Sequence, residues 1–175
     1  MSHNTPHTPL TNEAAPKRSR RKEARPGELL EAALDLFVEK GFAATRVDDV
    51  AARAGVSKGT LFLYFPSKEE LFKAVVRENI VGRFAEWNTE LETFVGTTSE
   101  VLAYCYQVWW ERIGATKASG ITKLMFSEAQ NFPEIAQFYQ QEVILPGRAL
   151  IRRILQRGME RGEFRQMDLE YGTYI

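Results

Sequence analysis

Residues 47–64, VDDVAARAGVSKGTLFLY, contain what two short helices need in order to cross at a steep angle. Ala51 is small where the helices touch, Gly55 supplies the positive φ of a tight turn, and Val50, Val56 and Leu61 plug the shared core. Ser57 suits the N-cap of the second helix, which the spacing places at about 58–64, and Pro66 stops it. Such a unit exposes the start of its second helix, here Ser57, Lys58, Gly59 and Thr60. In a helix-turn-helix those residues meet base edges in the major groove while the first helix crosses the backbone. Lys58 reaches a phosphate or a guanine, Thr60 hydrogen-bonds an edge or touches a thymine methyl, and Gly59 permits close approach. Two packed helices of any α-domain can share this pattern, so the flanking sequence has to decide.

Upstream, Leu30, Ala33, Leu34 and Phe37 fall at i, i+3, i+4 and i+7, which gives a helix over about 26–40, opened by Pro26 and stopped by Gly41. Thr45 begins a Thr-x-x-Asp box at the head of a helix over about 46–54. Downstream, Ser67-Lys-Glu-Glu70 is a second capping box. It opens a fourth helix whose apolar residues at 71, 72, 75, 76, 80, 84, 87, 91 and 94 carry it as far as Phe94. The free N–H groups opening helices 2 and 4, near Thr45 and Lys68, are expected to face phosphates.

Beyond Gly96 the signals stay helical. Ser99 caps a segment with Val101, Leu102, Cys105, Val108 and Trp109 on one face; Gly114 and Gly120 interrupt it, and Asn131-Phe-Pro133 marks another start. Pro146 opens the last full helix, in which Leu150, Ile151, Ile154, Leu155 and Met159 oppose Arg148, Arg152, Arg153, Arg157 and Arg161, and Gly162 closes it. No segment reads as a strand, so the expected class is all-α.

Lysine plus arginine and aspartate plus glutamate number 23 each, but the distribution is uneven. Residues 1–25 hold Lys17, Arg18, Arg20, Arg21, Lys22 and Arg25 against Glu13 and Glu23, a net +4, while 26–78 and 79–175 each carry −2. The 1–25 stretch has no hydrophobic period and reads as a disordered basic arm. The domain division is then the arm, a helix-turn-helix at 26–76, and a helical region at 77–175. A single cysteine, Cys105, asks for no oxidising compartment; no apolar run approaches a membrane span, and the polar start lacks the form of a signal peptide. A cytoplasmic protein is expected.

Residues 27–76, above all GFAATRVDDVAARAGVSKGTLFLYFPSKEELF, closely resemble the N-terminal DNA-binding domain of the TetR family of regulators. The resemblance covers the head and the start of helix 4 without a gap. It implies a homodimer on an inverted-repeat operator in double-stranded DNA, a variable helical C-terminal domain that binds a small apolar or amphipathic effector, and usually repression. Carried over by position, Thr45 and Arg46 look like contacts to the DNA backbone. Ser57, Lys58, Gly59, Thr60, Phe62 and Leu63 lie where the family's recognition helix meets DNA, and Tyr64 and Lys68 where it clamps phosphates. Phe62 stands where such proteins often carry tyrosine, and Leu63 offers only apolar contact. Beyond residue 95 the resemblance is weaker, although FSEAQNFPEIAQFY is similar to the effector and dimer region of many members. The family typically ends in a long helix that pairs with its predecessor in the dimer seam. Asp168 opens such a helix close to Ile175, so the final helix is expected to be cut short or the dimer to use less surface.

Other readings compete for the second half. Tyr104, Trp109, Trp110, Met125, Phe126, Phe138 and Tyr139 line an effector pocket or are plain core. Leu150, Ile151, Ile154 and Leu155 are the candidate dimer stripe, and the arginine row opposite is a solvated face unless an acidic ligand or partner uses it. His3 and His7, four apart in the arm, fix no metal geometry, and no cofactor motif is present. No enzyme is expected: the only histidines are in the arm, Cys105 has no base near it in sequence, and Asp48 and Asp49 lie on the outside of helix 2. The alternatives to a ligand-released repressor are an activator using the same head and a helical interaction protein.

Overall fold

The computed structural model describes residues 26–173; the basic arm and both histidines lie outside them. Helix α1 spans Pro26–Ala44 and buries Leu29, Ala32, Ala33, Leu36 and Phe37. Gly41, with φ 82° and ψ 169°, breaks its path at the expected stop, and Phe42 turns into the core. There the rings of Phe37, Phe42 and Phe72 meet at centroid distances of 5.7, 5.3 and 5.4 Å. Helices α2 (Val47–Arg53) and α3 (Lys58–Tyr64) are joined by a turn in which Gly55 has φ 71°. Val50 and Leu61 are fully buried between them, and burying a leucine side chain contributes about 1.5–3 kcal/mol.

Helix α4 (Lys68–Val76) starts at Ser67, whose hydroxyl accepts from the Glu70 amide at 3.1 Å. It continues through a π-helical turn, Arg77–Val81, into α5 (Gly82–Thr93), so one rod reaches Phe94 as the apolar period requires. Helix α6 (Thr98–Trp109) is capped by Thr97 rather than Ser99: the Thr97 hydroxyl accepts from the Glu100 amide, and the Thr97 amide donates to the Glu100 carboxylate at 2.7 Å. The reason is reciprocity. Thr97 has a glutamate three residues on, whereas Ser99 has Leu102.

A second π turn, Trp110–Gly114, ends that helix, and α7 (Ser119–Glu128) and α8 (Pro133–Tyr139) follow. A third π turn, Gln140–Ile144, runs directly into α9 (Leu145–Glu160), and Asp168 caps the short α10 (Leu169–Gly172). Pro146 stands in the first turn of α9 as expected, but α9 follows the π turn without a break. The proline sits inside a rod from Pro133 to Glu160, and the carbonyl its ring would strike, that of Glu142, belongs to the widened π turn just before it.

Head and body share one apolar core running from Leu29 to Ile154. Helix α7 lies on α1 so closely that a Cβ on Gly120 would come within 2.6 Å of Val38. Ion pairs brace this and neighbouring contacts: Lys117 to Asp35 of α1 at 2.6 Å, Lys73 of α4 to Glu134 of α8 at 2.7 Å, and Arg77 to Glu142 between the first and third π turns at 2.7 Å. The arginine row of α9 is solvent-exposed at Arg152, Arg153 and Arg161, as expected, and half-buried at Arg148 and Arg157, and several of its members are engaged by neighbouring helices. Arg157 donates to the carbonyls of Phe94 and Gly96, Arg153 binds Glu92 and Asn88, and Arg152 binds Glu170 of α10. Carbonyls left open at the end of α5 and carboxylates of two neighbouring helices need those cations.

Candidate nucleic-acid interface

The start of α3 is fixed locally. The Ser57 hydroxyl accepts from the Thr60 amide at 3.1 Å and lies 2.8 Å from the Thr60 hydroxyl. Gly59 has only the Ser57 oxygen near its missing Cβ, at 3.8 Å, so the helix surface there is open to close approach. Three large apolar or aromatic side chains then leave the core on the same short helix: Phe62 is 39% exposed, Tyr64 44% and Leu63 84%. Leu61 alone of that run points inward. Lys58 extends back over α2 to the Asp48 carboxylate at 3.0 Å. Exposed Arg46 is the N-cap residue of α2 and makes no side-chain cap.

Two sequence expectations need correction. Thr45 neither begins a capping box nor offers its hydroxyl to DNA. It is 2% exposed, and the hydroxyl donates within α1 to the carbonyls of Gly41 (2.7 Å) and Leu36 (3.1 Å). Lys68 does not present a free ammonium to phosphate. Its Nζ donates to the carbonyls of Phe42, Ala43 and Thr45 at 2.9, 3.2 and 3.2 Å and stands 4.5 Å from the Phe42 ring centroid. Those three acceptors match the three N–H donors of an ammonium, placed where a helix end leaves carbonyls open. Of the expected DNA-facing set, Arg46, Ser57, Lys58, Gly59, Phe62, Leu63 and Tyr64 are exposed and Thr60 is half-buried. Asp48, beside Lys58, is the member that sequence reasoning passed over. Its signal was a carboxylate in the first turn of α2, but the partner lies ten residues away across a turn.

The body residues separate. Met125, Phe138 and Tyr139 are buried and Tyr104 half-buried, while Trp109, Trp110 and Phe126 are 42%, 51% and 86% exposed. The seven do not line one chamber, because Phe126 follows inward-facing Met125 and so points about 100° away from it. The Tyr139 hydroxyl is satisfied by Thr122 at 2.9 Å, and burial pushes its phenol above the ordinary tyrosine range. Two open depressions, about 420 and 290 Å³, lie instead along α1: one against Glu78, Asn79 and Lys117, the other against Arg53 and Ala54. In the expected dimer stripe, Leu150 and Ile154 belong to the chain's own core, leaving Ile151 exposed and Leu155 half-buried. With a 3.6-residue period, 150 and 154 share the inward face and 151 and 155 the next one round.

A tight α2–turn–α3 unit with an open, apolar-edged second helix, braced by α1 and α4, defines a helix-turn-helix DNA-binding protein. Residues 29–75 match the bacterial regulatory proteins of the tetR family, and residues 105–173 match the C-terminal domain of AefR-like transcriptional repressors. The HTH-type transcriptional repressor KstR2 of Mycobacterium tuberculosis is 31% identical over 152 residues, covering 85% of this chain and 74% of KstR2. The HTH-type transcriptional regulator RutR of Escherichia coli is 52% identical over 62 residues, but that match spans 35% of this chain and only 29% of RutR. Among solved structures, the fatty acid degradation regulator FadR of Bacillus halodurans superposes with a TM-score of 0.72 at 25% identity, covering 88% of this chain and 78% of its own. The chain belongs to the tetR family of bacterial regulatory proteins.

Proposed function

We propose that the protein is a cytoplasmic transcriptional repressor that reads an inverted-repeat operator in double-stranded DNA as a homodimer and is released by a small apolar or amphipathic effector. The observation that carries this reading is the surface of α3: Leu63, Phe62 and Tyr64 exposed beside an unobstructed Gly59, on a helix whose fourth apolar residue anchors it. Exposed leucine and phenyl groups on a short helix cost solubility unless a surface with apolar patches, such as thymine methyls in a major groove, covers them. The name of KstR2, a repressor matched over most of both chains, supports the direction of regulation. The name of the FadR relative, a regulator of fatty acid degradation, is compatible with an apolar effector.

The coupling route runs through packed elements. Helix α7 rests on α1 at Gly120 and Val38, and the π turns at 77–81 and 140–144 meet through Arg77 and Glu142. A ligand that repacks the body shifts these contacts and with them the spacing of two heads whose half-sites lie about one helical turn or more apart. A ligand that prefers the released form by ~100-fold supplies about 2.7 kcal/mol, enough to move a balanced equilibrium. On α9, exposed Leu145 and Ile151 and half-buried Leu155 are the apolar side chains offered to a partner. The test is a mobility shift in moderate salt with the duplex upstream of the protein's own gene. Retardation of that duplex and not of a scrambled one is expected; equal retardation of both, or of neither, overturns the reading.

A further inference from the structure

Asp48 stands outside the residues expected to face DNA, yet it holds the first cation of α3. Lys58 Nζ lies 3.0 Å from Asp48 Oδ1 and 3.2 Å from Oδ2, and 5.9 Å from the centroid of the Phe62 ring. Both side chains are about half exposed, at 55% and 47%, so the carboxylate on α2 and the ring on α3 orient the ammonium between the two helices as a surface contact. The neighbouring carboxylate, Asp49, is committed to Lys40 at 3.1 Å.

A lysine at the start of an exposed helix swings readily to the nearest phosphate on any sequence, because its stem is flexible and phosphate contacts carry no base information. A carboxylate against it alters that balance. On a random duplex, moving Lys58 to a phosphate separates an ion pair and leaves Asp48 beside the anionic backbone. While the pair stays closed it has no net charge and displaces few counterions. A guanine edge offers neutral acceptors, O6 and N7, and the ammonium has N–H donors to spare, so Lys58 can read guanine without leaving Asp48.

We infer that Asp48 is a specificity-determining positioning residue, which withholds Lys58 from phosphate and presents it to the base edge. The inference rests on the DNA-reading function proposed above. It is tested with the full chain on two duplexes of equal length, one enriched from a random pool by the wild-type protein and one scrambled, with affinity measured across a salt series. Asp48→Asn should bind the scrambled duplex more tightly, steepen its salt slope by about one unit, and lower the enriched-to-scrambled ratio about threefold. Asp48→Glu should restore the ratio. In a Lys58→Ala background, Asp48→Asn should leave the ratio unchanged, since the group it positions is gone. Asp48→Ser, which keeps an oxygen at the start of α2, supplies the same readings if asparagine perturbs the helix. Equal tightening on both duplexes would mean that Asp48 only repels the backbone, and it overturns the inference; so does a fall in ratio that persists without Lys58. A wild-type chain that enriches no duplex overturns the DNA-reading function itself, and this inference with it, before any variant is made.

Discussion

The ammonium of Lys68 sits 2.9 Å from the carbonyl of Phe42 and 4.5 Å from the centroid of that residue's ring, closing the end of α1 from the start of α4. A cation so placed stabilises the head by satisfying three carbonyls near a helix C-terminus. Lys68→Ala should therefore lower the stability of the protein by about 1–2 kcal/mol, discounted for a half-exposed site. Urea denaturation checks this. Loss of DNA affinity with an unchanged midpoint would return Lys68 to the phosphate-binding set.

Gly120 has no room for a side chain, since its Cβ would meet both Val38 methyl groups at 2.6 and 2.7 Å. Gly120→Ala should cost about 1–3 kcal/mol by forcing α7 away from α1. The paired change Gly120→Ala with Val38→Ala should recover much of it. A double-mutant cycle on thermal stability reads the coupling, and additive losses would mean that the two residues do not share the seam.

The Arg77 guanidinium, through two hydrogen bonds, holds the Glu142 carboxyl below the ordinary glutamate range, with burial opposing the shift. Because the folded value lies below the unfolded one, the contribution is fully present above the ordinary carboxylate range, about 4.3. It is lost as pH falls from there through the depressed value. With side chains 48% and 34% exposed, the pair is worth less than about 1 kcal/mol. Wild type and Glu142→Gln should differ in stability by a constant amount near neutrality and converge in acid. A gap that widened in acid would contradict the assignment.

Cys105 is half-buried, and burial raises its thiol above the ordinary cysteine range, with the charge of Glu90 adding to the effect. The thiolate is the reactive form, so a chromogenic disulfide reagent at neutral pH should label folded protein many-fold more slowly than unfolded protein. Equal rates would place Cys105 at an open surface.

Thr60 joins its hydroxyl to Ser57 at the entrance of α3. Thr60→Ala should weaken binding to a selected operator by about 1–3 kcal/mol while leaving random DNA nearly unaffected. Equal loss on both would remove Thr60 from base reading.

Much of the head was legible in the sequence because its signals are local. The i, i+3, i+4 stripe of α1, the positive-φ turn at Gly55, the Ser57 cap and the Pro66 stop each act within a few residues. What the sequence hid depends on contacts made across the fold. Thr45 has the chemistry of a cap, yet the chain folds its hydroxyl back onto Leu36 and Gly41, and Lys68 is taken up by carbonyls from 23 to 26 residues earlier. Periodicity gave the continuous rod at 68–93 but not its π turn, since one extra residue per turn leaves the apolar pattern readable. In the body, the alternation of Leu150 and Ile151 marks an amphipathic helix without telling which side meets its own chain. Trp109, Trp110 and Phe126 had the composition of a pocket, but their exposure is set by how α6 and α7 are turned.

The most direct test of the central claim is selection of bound duplexes from a random pool by the full chain, with the mass of the resulting complex measured in solution. Enrichment of an inverted repeat whose half-sites lie about one helical turn or more apart, bound by two chains per duplex, is expected. No enrichment, or an unsymmetric site held by one chain at full affinity, would contradict the claim.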